Sequence, residues 1–224
     1  MSWWQIFRKR PMKSAMVKHY EEHFTKPISK KLPISELTFV VVDTETTGLD
    51  PKKDHILAFG GIKITNNRIL VQSSREQFVH SKKKSASSIK IHEIVQPRNA
   101  VSPREFVRGF LPYLGSDILV AHHAGFDLAM IEKIGRPFGL RKLHNPVVDT
   151  GDLAMRLEHG IHYDPSRINL RDYSLDKLCE RYKIPIHDRH IAAGDAFLTA
   201  QLLIKLLKEA EKKGVVTYGD LMRW

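Results

Sequence analysis

The chain has 224 residues, 42% hydrophobic and 27% charged, enough for one domain with a full core. A single cysteine, Cys179, excludes a disulfide scaffold and suits the cytoplasm; no apolar run reaches membrane-spanning length, and the N-terminus lacks the apolar core of a secretion signal. The formal net charge of +11 points to a polyanionic partner.

The chain opens on a basic extension, residues 1–34. It carries eight lysines and arginines against Glu21 and Glu22, an apolar start at Trp3, Trp4, Ile6 and Phe7, and prolines at 11, 27 and 33. Three uses fit: a helix packed on the domain, a peptide that binds a protein partner, or an interfacial anchor. Packing or partner binding is favoured over membrane contact. Residues 35–212 form the expected main domain and 213–224 a C-terminal tail.

Leu37–Val42 is a β-branched, aromatic-rich run that reads as a buried strand over 37–43. It runs into Asp43-Thr44-Glu45-Thr46-Thr47-Gly48. Side chains alternate along a strand, so Asp43 and Glu45 share one face. Like charges side by side repel, and a hard cation such as Mg²⁺, which prefers carboxylate oxygens, removes that penalty. The pair also reads as a solvated turn after a strand.

Residues 55–65 and 68–79 read as a hairpin turning near Asn66-Asn67. Lys82-Lys83-Lys84 either guides a nucleic-acid backbone or is an ordinary solvated loop. Helices follow at 102–114 and 126–138, with a strand at 118–122 between them, and further helices at 150–158, 174–183 and 191–212. Asp127 follows His122-His123-Ala124-Gly125-Phe126 and sits at a helix start, where the dipole favours an anion. His190 precedes Asp195, an acid in a mostly apolar helical stretch and so expected to be paired or metal-bound. A three-strand meander followed by βα alternation implies an α/β protein, a mixed sheet with helices on both faces.

Together VVDTETTGL, AHHAGFD and the H-x4-D spacing of His190 and Asp195 resemble the DEDDh-type 3′–5′ exonucleases, the DnaQ-like family that includes the proofreading epsilon subunit of bacterial DNA polymerase III. The resemblance covers roughly residues 36–210. It implies a ribonuclease-H-like fold with a central five-stranded mixed sheet flanked by helices. It also implies two divalent metal ions, Mg²⁺ or Mn²⁺, with Asp43, Glu45 and Asp195 on one, Asp43 bridging to the second, and Asp127 supporting that second ion. It makes His190 the general base, and the absence of tyrosine between Ile184 and Asp195 assigns the histidine type of the family.

The resemblance further assigns Thr46, Thr47, Gly48 and Leu49 to the terminal nucleotide and His92, in Ile91-His92-Glu93-Ile94, to the substrate's 3′ end. Phe126 would stack on a base or serve as a core residue, and His92 also fits an ordinary surface histidine. Asp149 is read as structural support. Position 123 is His where the family often has Asn, which bears on contacts to the terminal sugar. No clamp-binding peptide is recognisable after the main domain, which suggests a stand-alone nuclease or one tethered in another way. The expected activity is removal of nucleoside 5′-monophosphates from 3′ ends of single-stranded DNA. The alternatives are trimming of RNA or short oligonucleotides and, from another class, a non-catalytic nucleic-acid-binding module.

Overall fold

A computed structural model describes residues 11–81 and 99–223. The aromatic start at Trp3, Trp4, Ile6 and Phe7, the lysine run at 82–84 and His92 lie outside the described residues.

Strand β1 (Thr38–Thr46) is covered along most of its length, as a strand in the middle of a two-faced sheet must be. It pairs antiparallel with β2 (Ile56–Thr65) and parallel with β4 (Ile118–Ala121). β3 (Arg68–Phe78) lies antiparallel on β2, and β5 (Val147–Asp149) lies parallel on β4. The order is β3-β2-β1-β4-β5, the expected mixed five-stranded sheet. Asn66 and Asn67 turn the hairpin with φ of 50° and 57°, left-handed values that asparagine tolerates and that match the twist of the flanking strands.

The helices are α1 (Ala15–Glu22), α2 (Pro103–Leu114), α3 (Gly125–Gly135), α4 (Thr150–His159), α5 (Leu175–Arg181), α6 (Ala192–Lys212) and α7 (Tyr218–Leu221). A capping box starts α2: the Ser102 hydroxyl takes the Glu105 N–H, and the Glu105 carboxylate takes the Ser102 N–H, satisfying two donors that no helical carbonyl reaches. α3 ends before the expected 138 because Arg136–Phe138 tightens into a 3₁₀ turn around Pro137, which has no N–H to continue the ladder. Strand β5 and helix α7 had no counterpart among the elements read from pattern. Elements of three and four residues are too short to show a period.

Alternation along the strands sorts the core into two layers. Phe39, Val41, Ile62, Ile64, Ile118 and Val120 meet α4, α5 and α6 on one face. Val40, Val42, Ile56, Leu119 and Ala121 meet α1, α2 and α3 on the other. A fully buried aliphatic contributes roughly 1.5–3 kcal/mol, so neither face is stable without its helices.

The chain's two ends join these layers through specific bonds. The Tyr20 hydroxyl donates to Asn145 Oδ1 at 2.6 Å and accepts the His144 N–H at 2.8 Å, while Asn145 Nδ2 donates to the Gly115 and Asp117 carbonyls. Burial pushes the Tyr20 phenol up to about 12, so it stays a donor. Near the other terminus the Ile34 N–H donates to the Val216 carbonyl and the Gly219 N–H to the Lys30 carbonyl, both between 2.8 and 2.9 Å.

Candidate active site

The alternation that sends Phe39 and Val41 toward α6 places Asp43 and Glu45 on that same face at the C-terminal end of β1. Asp43 lies opposite Gly60 of β2. A Cβ at position 60 would fall 2.0 Å from the Ala192 carbonyl oxygen, so only glycine lets the first turn of α6 rest on the strand there. That contact carries Asp195, in the first turn of α6, to the strand end. One carboxylate oxygen from each of Asp43, Glu45 and Asp195 lies within 4.8 Å of the other two.

Asp127 reaches the strand end from the opposite face. It stands in the first turn of α3, and Thr44, whose side chain points to that face, donates its hydroxyl to Asp127 Oδ1 at 2.6 Å. Asp127 therefore stands outside the three-carboxylate cluster, while its charge still helps to raise the Asp43 carboxyl.

Glu45, Asp127 and Asp195 are each no more than 7% exposed. Burial first, then repulsion from Asp127, Asp195 and Glu45, drives the Asp43 carboxyl well above the usual range. Glu45 is pushed up to about 7 by burial and by Asp195. Asp127 also rises to about 7, burial outweighing the hydrogen bonds from Thr44. Asp195 Oδ1 is buried with no hydrogen-bond partner among the described residues. Crowded acids held above their normal pKa, with a carboxylate oxygen left over, fit a hard divalent cation.

His190 has φ 64° and Asp188 φ 52°, left-handed values that cost energy in a side-chain-bearing residue. The turn persists because it is packed: a Cβ at Gly194 would fall 2.1 Å from the Asp188 carbonyl oxygen. The His190 N–H donates to Asp195 Oδ2 at 3.2 Å, and its imidazole is exposed. Between them Arg189 bonds Asp176, Nε to Oδ1 at 2.5 Å and Nη2 to Oδ2 at 3.2 Å, and pairs through Nη1 with Asp195 Oδ2.

Thr46 and Thr47 spend their hydroxyls within their own turn. Thr46 Oγ1 donates to the Gly48 carbonyl at 2.7 Å, while Thr47 Oγ1 donates to Asp54 Oδ1 at 2.8 Å. Gly48 lies so close to Asp54 that a Cβ would fall 2.6 Å from Oδ2, and Leu49 beyond it is 87% exposed. Phe126 is half-buried against the α2–α3 core layer, and His92 lies outside the described residues. Asp149 accepts the N–H groups of His123, Ala124 and Gly151 at 2.8–3.1 Å, which pins the turn leading to Asp127. His123 there has φ 58°, and its ring lies 4.3 Å from that of His122.

The structure thus brings Asp43, Glu45, Asp195, Asp127 and the His190 turn to one end of the sheet. Reading by motif missed Thr44, Gly60, Asp176 and Arg189. Gly60-Gly61 inside a strand was a readable sign of close backbone approach. Thr44 carries no such local sign, since Asp127 is distant in sequence, and Asp176 and Arg189 carry none because nothing in their spacing marks them as partners.

The exonuclease family model RNase_T matches residues 40–203, which include all five of these site residues. The PolC-type DNA polymerase III of Bacillus subtilis is 32% identical over 192 residues, covering 84% of this chain and 13% of that protein. A DNA polymerase III subunit epsilon-like protein of Rhodobacter capsulatus is 32% identical over 196 residues, covering 85% and 26%. The chain therefore spans only a small part of the length of these relatives. Among solved structures, E. coli exonuclease I in complex with a dT13 oligonucleotide superposes with a TM-score of 0.63 at 17% identity, over 80% of this chain and 43% of that one. The superposition agrees with a ribonuclease-H-like arrangement of the sheet and helices. With the model spanning most of the chain, from the third residue of β1 to the middle of α6, the protein belongs to the RNase_T family of exonucleases.

Proposed function

We propose that this chain is a metal-dependent 3′–5′ exonuclease that removes nucleoside 5′-monophosphates from 3′ ends of single-stranded DNA. The observation that carries the reading is the convergence of Asp43, Glu45 and Asp195 within 4.8 Å, with the buried Asp195 Oδ1 unpartnered among the described residues. Asp43, Glu45 and Asp195 would hold one Mg²⁺ or Mn²⁺, and Asp127 with Asp43 a second. When bound, such ions supply stabilisation of the attacking and leaving oxygens at phosphorus. His190 takes the proton of the attacking water on an imidazole nitrogen, and its exposed position on a strained turn gives it access to the substrate side. Thr44 keeps the Asp127 carboxylate directed at the strand end. Leu49, which is 87% exposed, and the half-buried Phe126 offer apolar surface to the terminal bases. The basic surplus of the chain attracts the phosphate backbone, and the segment at 1–34, whose α1 packs on the domain through Val17 and Tyr20, is a candidate for binding a protein partner through its exposed basic residues.

The test is a time course on 5′-labelled single-stranded DNA and the matched RNA, with Mg²⁺, Mn²⁺ or EDTA, for wild type, Asp43→Ala and His190→Ala. A ladder shortening from the 3′ end only with metal, absent in Asp43→Ala and slowed about 10²–10⁴-fold in His190→Ala, is expected. The DNA-to-RNA rate ratio measures sugar preference. Salt-sensitive binding without cleavage under any divalent metal would replace this reading with a binding module.

A further inference from the structure

Asp195 divides its two oxygens unequally. Oδ2 takes the His190 N–H at 3.2 Å and the Nη1 of Arg189, whereas Oδ1 is buried and takes nothing from the described residues. Arg189 is itself held from behind, since Asp176 engages its Nε and Nη2 in a two-point fork. Asp176 is on the first turn of α5 and is 53% exposed at its side chain, whereas Asp195 is 7% exposed. A chain of charge-assisted bonds therefore runs from the surface, Asp176 to Arg189 to Asp195, and ends at the carboxylate cluster. Planar, forked guanidinium geometry fixes the orientation of a carboxylate in a way that a point charge cannot.

We propose that Arg189, anchored by Asp176, is a positioning residue: it locks Asp195 through Oδ2 so that Oδ1 is presented to the divalent cation shared with Asp43 and Glu45, and in the same contact seats the His190 turn. The proposal rests on the metal-dependent reading of the site. Its geometry favours orientation over simple charge balance, because three guanidinium nitrogens are engaged at once. An ammonium in place of the guanidinium retains the charge but cannot reproduce the three-point pattern. Groups that orient metal-binding side chains from behind typically matter about 10–100-fold in metal affinity.

The experiment is calorimetric titration of the substrate-free protein with Mn²⁺ for wild type, Arg189→Lys, Asp176→Asn, the double variant and Asp43→Asn, with circular dichroism and metal-free melting as controls of the fold. Arg189→Lys and Asp176→Asn are each expected to weaken Mn²⁺ binding about tenfold, and the double variant to be no weaker than the worse single one, since both break one chain of support. Hydrogen exchange of the 187–191 turn should quicken in both single variants. Unchanged Mn²⁺ affinity in Arg189→Lys, where the charge is kept, or effects that multiply in the double variant, would overturn the proposal. Because Asp176 is largely at the surface, its variant tests the same chain should Arg189→Lys unfold. Asp43→Asn separates the two levels of the argument: binding lost there with no effect at 189 or 176 sinks only the positioning role. Absence of Mn²⁺ binding in wild type would overturn the metal site and this proposal together.

Discussion

Replacing Asp127 with Asn isolates the electrostatic cost of assembling the carboxylates. Burial raises the Asp127 carboxyl from 3.8 to about 7 in the metal-free fold. A carboxyl raised in this direction is still protonated in the native state where the unfolded chain has already ionised. The stability it contributes is complete below the unfolded pKa and is lost as pH rises through the folded one. One pKa unit corresponds to about 1.4 kcal/mol, and with the charge shared between Asp127 and Asp43 the loss across this window is on the order of 3 kcal/mol. For a chain of this length that corresponds to roughly 6–12 °C in Tm. The assay is thermal unfolding in EDTA from about pH 4.5 to 8, wild type against Asp127→Asn, whose amide still accepts the Thr44 hydroxyl. His122, driven down to about 3 mainly by burial, weakens both proteins toward acid pH and cancels in the difference. Wild type should lose ground to the variant steadily as pH rises, and saturating Mg²⁺ should remove most of that loss by favouring the ionised form. A gap independent of pH in EDTA would refute the reasoning.

Two further outcomes follow from packing. Gly60→Ala sets a methyl against the Ala192 carbonyl, 2.0 Å away before relaxation, so α6 must shift and take Asp195 with it; Mn²⁺ affinity should fall by at least tenfold, on the order of 1.4 kcal/mol, while far-ultraviolet circular dichroism stays native. Tyr20→Phe leaves Asn145 Oδ1 buried without its donor, which should cost about 1–3 kcal/mol in urea unfolding with little change in cleavage rate, since α1 packs away from the carboxylates.

Much of the fold was legible because its long elements carry strong periods. The hairpin at Asn66-Asn67 and helices such as α2 and α6 followed from apolar spacing and turn chemistry. Strand β5 and helix α7, at three and four residues, offered no period to read, and Arg136–Phe138 left α3 early because proline overrode the apolar pattern. The turn after β1 shows another limit: resemblance sets the Thr46–Gly48 backbone near a terminal nucleotide, and only the structure shows that the Thr46 and Thr47 hydroxyls bond within the turn and to Asp54.

By itself the sequence determined which acids exist and which pair must act together, because strand alternation alone puts Asp43 and Glu45 on one face. Order along the chain and resemblance added Asp127, His190 and Asp195 to the set. Only the tertiary structure decided how they meet. Asp195 arrives because Gly60 admits the α6 backbone, Asp127 comes from the opposite face and is held by Thr44, and Arg189 ties Asp195 to Asp176. The first two contacts join segments tens of residues apart and the third closes a loop that no period marks, and a one-dimensional pattern records spacing along a chain, not the close approach of surfaces that packing creates.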